Sequence, residues 1–173
     1  LFLHEPAVIL GRDRTERLCA GHLISSLEGR VREHIREHSL VAPGDHIAVA
    51  LSGGKDSTAL LLLLATILPE LPDVSLTAIT IDEGIAGYRE ETVDSAVRLT
   101  RHLGVRHHII SFPDLFGADL DTILRKKGSV ERACTVCGVL RRKALAEGAR
   151  RVGGTKIATG HNLDDEAQSV LMN

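Results

Sequence analysis

Residues 52–57 read Ser-Gly-Gly-Lys-Asp-Ser, a run whose residue types suit an anion. Gly53 and Gly54 permit positive φ and close backbone approach, so successive N–H groups can turn inward on a phosphate, and a following helix adds about half a positive charge. Lys55 adds a full one. At about 1.5 to 3 kcal/mol per charge-assisted hydrogen bond, roughly four such donors on one pyrophosphate give several kcal/mol even with imperfect geometry. The structural alternative is a tight turn with Asp56 or Ser57 as an ordinary helix N-cap. The run lacks the four-residue spacer of a Walker A loop and is not a G-x-G-x-x-G dinucleotide turn, so hydride chemistry loses support.

Cys134 and Cys137 form a C-x-x-C pair, with Arg132, Arg141, Arg142 and Lys143 nearby. Thiolate is the form that binds metal or attacks sulfur, so the pair suits a redox dithiol, half a zinc site, or part of an iron–sulfur cluster. Spacing alone does not choose. A structural zinc site takes four ligands and no second C-x-x-C is present, which counts against a zinc ribbon; two small buried residues are the bland alternative. His161, Asn162, Asp164 and Asp165 open the last helical pattern, where acids either cap the helix or hold the Mg²⁺ that neutralises ATP phosphates. The runs Arg125-Lys126-Lys127, Arg141-Arg142-Lys143 and Arg150-Arg151 read as solvated helix faces or as a local patch that tracks RNA phosphates.

The elements that must position these groups follow from periodicity. Leu23, Leu27, Val31 and Ile35 recur every four residues and predict an amphipathic helix that ends near Pro43-Gly44. His46–Leu51 reads as a strand, Ser52–Asp56 as the glycine-bearing turn, and Ser57–Leu68 as an apolar helix stopped by Pro69. Val74–Ile81 and Arg106–Phe112 are further strands flanking a helix at Arg89–His102. Asp119–Lys127 and Gly138–Val152 read as helices, which puts the cysteines just ahead of the second. Lys156–Gly160 is the next strand, and a helix starts at Leu163. This alternation predicts an α/β fold with a doubly wound, Rossmann-like parallel sheet covered on both faces. The acidic turn and the glycine loop then share the carboxyl edge of one sheet, where such folds bind ligands.

Composition narrows the classes. With 173 residues, 43% hydrophobic and 25% charged, the chain suits one ordinary α/β core and not a disordered segment. Its 21 basic and 23 acidic residues give a net charge of -2, so any RNA contact must be local. Aromatics at 2% make a base-stacking platform improbable. The longest apolar run, Ala59–Ile67, falls short of the roughly 18 residues of a membrane span, and residues 1–10 do not read as a secretory signal. Three cysteines fit a reducing compartment, and the expectation is a cytoplasmic protein. Leu1 is not an initiator Met and the final helical pattern carries no stop signal, so a portion of a longer chain is expected.

Four motifs in order carry a family resemblance: Ser52–Ser57; Ile81-Asp82-Glu83-Gly84-Ile85 with Gly87-Tyr88-Arg89; Cys134–Gly138 with Arg141-Arg142; and Thr159–Glu166. Together they resemble the PP-loop ATP pyrophosphatases, which are adenine nucleotide alpha hydrolase-like, and within them the tRNA 2-thiouridine synthetase branch of wobble-uridine and TtuA-like thiolases. The resemblance implies ATP cleavage between the α and β phosphates and transfer of AMP to a uridine C2 oxygen, which sulfur then replaces. It implies a nucleotide site at Ser52, Gly53, Gly54, Lys55, Asp56, Ser57, Ile81, Gly160 and His161. It also implies catalytic work for Lys55, Cys134, Cys137, Arg141 and Asp165, with Arg141 orienting a phosphate or the adenylated intermediate. Cys134 and Cys137 match two of three cysteines that hold a 4Fe-4S cluster; the third is not in this chain, so the 173 residues are expected to bind a cluster poorly. Cys19-x-x-His22 is similar to the second half of a Zn²⁺ finger, giving a partial finger-like segment over residues 1–25 and a PP-loop domain over 26–173, cut at its C-terminal end. Implied partners are tRNA and a ubiquitin-like sulfur carrier or other sulfide donor; a homodimer and a heteromer both stay open, and no membrane is implied. An amidating PP-loop ligase, for which the cysteine pair is unnecessary, and a non-catalytic nucleotide-binding subunit are the rival readings.

Overall fold

The computed structural model describes residues 7–10, 17–85, 90–127, 131 and 133–171. Of the positions singled out above, Gly87, Tyr88, Arg89 and Arg132 lie outside the described residues, as does the stretch before Ala7. The described chain divides into two units, residues 1–42 and 43–173.

In the first unit, β1 (Ala7–Leu10) pairs antiparallel with β2 (Arg17–Cys19), a hairpin that the sequence pattern did not announce. It leads into α1 (Ala20–Glu37), whose apolar residues keep the four-residue spacing read from the sequence. The helix stops well before Pro43. Ser39 takes φ 48° and the Leu40 N–H donates to the Ile35 carbonyl at 3.0 Å, closing the last turn as a left-handed cap does. The division of units after Ala42 groups α1 with the hairpin, whereas a boundary at residue 25 falls inside this helix.

The second unit is the alternating α/β structure. β3 (His46–Ala50), α2 (Lys55–Ile67), β4 (Ser75–Asp82), α3 (Glu90–Leu103) and β5 (Arg106–Ser111) follow in turn, with a 3-10 turn at Leu68–Glu70. α4 (Phe112–Phe116), α5 (Leu120–Lys127), α6 (Ala133–Arg151), β6 (Lys156–Ala158) and α7 (Leu163–Leu171) complete it. The sheet is parallel, in the order β5-β4-β3-β6. Phe112 leaves the expected strand to start α4: the Ser111 hydroxyl caps it by accepting the Asp114 N–H at 3.2 Å, and Pro113 supplies a preset φ.

Side chains alternate across the sheet, as the strand period requires. Ala48, Ile79, Ile81 and Ile110 pack with Phe112, Leu120, Leu124, Ala144 and Ala149 in a largely aliphatic core. α6 reaches this face through Gly148, where an added Cβ would lie 2.6 Å from Ile110 Cδ1 and 3.2 Å from Ile79 Cγ2. The other face carries a polar chain. The Thr80 hydroxyl donates to the Leu51 carbonyl at 2.7 Å and meets His107 Nε2 at 2.8 Å, while His107 Nδ1 lies 3.3 Å from the Thr100 hydroxyl. Among the described residues no helix is long and apolar enough to cross a membrane.

Burial, and to a lesser degree the charge of His108, hold the His107 imidazole below its ordinary value. Burial, then Arg106, does the same to His46. The unfolded chain therefore takes up protons first as the pH falls. The stability tied to neutral imidazoles is present above the unfolded value of about 6.5 and is lost as the pH falls through it, levelling off below the folded values. His107→Gln is expected to flatten the decline of the urea midpoint between about pH 7 and pH 5. An unaltered slope would remove His107 from that account.

Candidate functional site

The strand order places the site. From β3 the chain moves outward to β4 and β5, then returns to lay β6 on the opposite side of β3, so a crevice opens between the carboxyl ends of β3 and β6. Both turns leaving those ends carry glycines in close quarters. Gly53 has φ +81°, and a Cβ there would lie 2.8 Å from the Thr92 carbonyl oxygen in the first turn of α3. Gly160 is hemmed in by backbone alone: a Cβ would come within 2.9 Å of Ser57 N and 3.0 Å of Asp56 C. Only glycine lets the turn after β6 lie against the start of α2.

The loop is held by its own hydroxyls. Ser52 and Ser57 Oγ atoms are 3.0 Å apart, the Ser57 hydroxyl donates to the Gly54 carbonyl at 3.0 Å, and the Ser52 N–H donates to Ser57 Oγ at 3.2 Å. The N-cap of α2 is Gly54, with no side-chain cap bond. This corrects the sequence reading twice: neither Asp56 nor Ser57 caps the helix, and Lys55 and Asp56 belong to its first turn instead of the loop. An uncapped first turn leaves backbone N–H donors for an incoming anion. Lys55 is 85% exposed and its Nζ donates to Asp56 Oδ1 at 2.7 Å. That hydrogen bond, then the Asp56 charge and more weakly that of Asp165, raise the Lys55 ammonium above its ordinary value.

The turn into α7 is capped reciprocally. Asn162 Oδ1 accepts the N–H groups of Asp164 and Asp165 at 2.9 and 3.1 Å, while Asp165 Oδ2 accepts the Asn162 N–H at 2.8 Å. Thr159 Oγ1 and His161 Nδ1 lie 3.2 Å apart. Of the two residues that could cap this helix, Asn162 and Asp164, Asn162 does so.

Between the loops lies a cavity of about 370 Å³. The structure gathers Ser52, Gly54, Asp56, Ser57, Ile81, Gly160, His161 and Asp165 around it from the sequence-derived set, together with Arg141 from α6. Gly53 and Lys55 stand beside it without lining it. Gly138, Arg141, Arg142 and Leu145 present the helical spacing of three and four residues to the cavity. The cysteines extend that stripe toward the helix start. α6 begins at Ala133, so Cys134 and Cys137 lie inside its first turns and not ahead of a helix at Gly138; Cys134 is exposed and Cys137 half-buried.

Glu83, Arg142 and Thr159, which the sequence analysis placed in motifs or a basic run without assigning them to the nucleotide site, also belong to this region. Glu83 Oε1 accepts from Arg141 Nε at 2.9 Å, and the Glu83 side chain is 1% exposed. The available signal was a carboxylate directly after an apolar strand, but its partner sits on a helix far along the chain.

Metal sets are incomplete among the described residues, where no group of three or more His, Cys, Asp or Glu side chains could hold an ion. Cys134 and Cys137, a turn apart on one helix, fit two thiolate positions of a cluster. Cys19 Sγ and His22 Nδ1 lie 3.1 Å apart and supply two zinc-type donors, short of the four of a structural site. The basic runs differ among themselves. Glu147 binds Arg150 at 2.8 and 2.9 Å and Arg151 at 3.0 Å, and these bonds, Arg150 first, hold its carboxyl at about 2. Arg142 lines the cavity, and Lys143 Nζ lies 5.9 Å from the Phe116 ring centre.

A family model described as PP-loop domain matches residues 25–173. The tRNA 2-thiolation protein NcsA of Haloferax volcanii is 42% identical over 163 residues, covering 90% of this chain and 50% of that protein. The cytoplasmic tRNA 2-thiolation protein 1 of Bos taurus is 39% identical over 175 residues, covering 98% of this chain and 50% of that protein. Among solved structures, the U34-tRNA thiolase NcsA from Methanococcus maripaludis with its 4Fe-4S cluster superimposes with a TM-score of 0.84 at 33% identity, over 97% of this chain and 54% of that one. The chain thus spans about half the length of the curated relatives it matches.

Proposed function

Because the chain belongs to the PP-loop domain family, we propose that it supplies the ATP-binding half of a tRNA-thiolating enzyme that makes 2-thiouridine. The observation that carries this reading is the cavity itself. It is walled by a glycine loop and an uncapped helix start on one side and by two arginines on the other, in a chain 42% identical to a tRNA 2-thiolation protein.

ATP enters with its outer phosphates toward the amides of residues 53–57, where Lys55 leaves Asp56 to meet them. The uridine C2 oxygen attacks the α phosphorus, the bond to the bridging oxygen breaks, and pyrophosphate departs. A sulfide sulfur then attacks C2, and AMP leaves with the former C2 oxygen. The base must be splayed from its stack for this, and with few aromatics available the chain holds it by aliphatic and polar contacts. Asp165, at the cavity wall, is the residue that would hold Mg²⁺, and His161 shapes the nucleotide pocket. Cys134 and Cys137 would be two of the ligands of a 4Fe-4S cluster, which when bound supplies an iron to carry the sulfur. Zn²⁺ at Cys19 and His22 needs ligands from elsewhere.

tRNA is the partner this chemistry needs, with Arg142 and Lys143 as phosphate contacts beside the cavity and a sulfur-carrier protein or other sulfide source as donor. The name of the bovine relative, cytoplasmic tRNA 2-thiolation protein 1, supports a cytoplasmic setting. The test is the product: ATP labelled in the α phosphate, incubated with substrate tRNA and full-length protein, is expected to give AMP. Release of ADP would overturn the reading.

A further inference from the structure

One carboxylate beside the cavity takes no part in that scheme. Glu83 follows β4 directly, and the turn that carries it is fixed from several sides. The Gly84 N–H donates to Asp82 Oδ1 at 2.9 Å, and the Leu120 N–H donates to the Glu83 carbonyl at 3.0 Å. Gly84, at φ +71°, packs so closely on the start of α5 that a Cβ would lie 2.8 Å from Asp119 Cβ. Backbone held this tightly delivers the Glu83 side chain to a single place. There it is 1% exposed, and its Oε1 accepts from Arg141 Nε at 2.9 Å.

A carboxylate so buried is costly to place unless a charged donor meets it. The two ends of the pair are unequal: Glu83 is enclosed, while Arg141 is 41% exposed and lines the cavity. A guanidinium is a planar fork of five N–H donors. Engaging the single Nε donor restrains that fork and leaves the four N–H donors of the outer nitrogens for a further partner. A lysine gathers its three donors on one nitrogen and lacks the rigid planar fork, so it would not hold the same fixed geometry toward both groups.

We propose that Glu83 is a positioning residue: through Arg141 Nε it sets the guanidinium so that the outer nitrogens meet an anionic group in the cavity, the phosphate of the adenylated intermediate. This role rests on the adenylation reading above. Positioning should act on turnover more than on nucleotide capture, because the loop and Lys55 hold the outer phosphates without Arg141.

The experiment measures AMP formation from ATP and substrate tRNA by full-length protein. Glu83→Gln is expected to lower kcat about 30- to 100-fold while KM for ATP moves less than about threefold. In an Arg141→Ala background the same exchange is expected to change the rate less than about twofold, since the group it positions is gone. Added guanidinium ion should recover about tenfold of the Arg141→Ala loss when Glu83 is present, and none in the double variant. Equal losses from Glu83→Gln in both backgrounds would mark a merely structural role and overturn the proposal. If Glu83→Gln fails to fold, the Arg141→Ala rescue decides alone, and its absence overturns the proposal. Wild-type protein that releases ADP defeats the reaction and this role together. Wild-type AMP release with unaltered Glu83→Gln kinetics defeats the positioning role alone.

Discussion

Lys55→Ala is expected to slow AMP formation by about 100- to 1,000-fold, the loss typical of removing one charged donor from a transition state. The same exchange should leave thermal stability nearly unchanged, because the side chain is 85% exposed and its pairing with Asp56 is a surface contact screened by water. This separation of activity from stability makes the experiment informative. Lys55 lies outside the cavity wall, bound to Asp56 at 2.7 Å, so its part in the reaction requires it to exchange one anionic partner for another. Asp56 raises the ammonium above its ordinary value while the two are paired, and a phosphate partner would favour the cationic form in the same way. Lys55→Arg should recover part of the rate, since charge returns with altered geometry. A Lys55→Ala protein with wild-type turnover would end the phosphate role of this side chain.

Gly160→Ala is expected to lower ATP affinity at least tenfold and to destabilise the fold by about 1 to 3 kcal/mol, the usual cost of forcing atoms into a filled space. The atoms that a Cβ would meet are Ser57 N at 2.9 Å, Asp56 C at 3.0 Å and Asp56 O at 3.1 Å. All three are backbone. A flexible side-chain tip could yield, but here either the start of α2 or the turn after β6 must move, and both border the cavity. Gly29, in α1, has nothing within 4 Å of an added Cβ. Gly29→Ala is therefore the control, stabilising by up to about 1 kcal/mol through helix propensity alone. Isothermal titration with a non-hydrolysable ATP analogue and urea unfolding read the two effects. Wild-type affinity in Gly160→Ala would show that the two turns do not jointly form the nucleotide site.

Much of this architecture was legible because its signals are local. The apolar run His46–Ala50, the glycine pair after it and the apolar residues of α2 specify strand, loop and helix without help from elsewhere. The start of α6 was not legible. Ala133-Cys-Thr-Val-Cys carries no clear cap, and its apolar stripe of Ala133, Val136 and Cys137, which packs against the core, spans barely one turn. Short α4 did carry a signal in Ser111, Pro113 and the left-handed Gly117, hidden by the β-like run of aliphatic residues ahead of it. Glu83 illustrates a deeper limit. Burial of a carboxylate depends on where its cation stands in three dimensions, and Arg141 reaches it only after α6 has folded back over the sheet.

The late position of β6 in the chain has a kinetic consequence. Its pairing with β3 joins residues far apart in sequence: the His46 N–H bonds Thr155 Oγ1 across 109 positions. Closing so long a segment costs entropy before any contact repays it, so β3, β4 and β5 should associate before this last strand docks. On a ribosome, the nascent polypeptide would then remain incompetent for ATP until residues near 160 have emerged, and nucleotide capture would report the docking of β6.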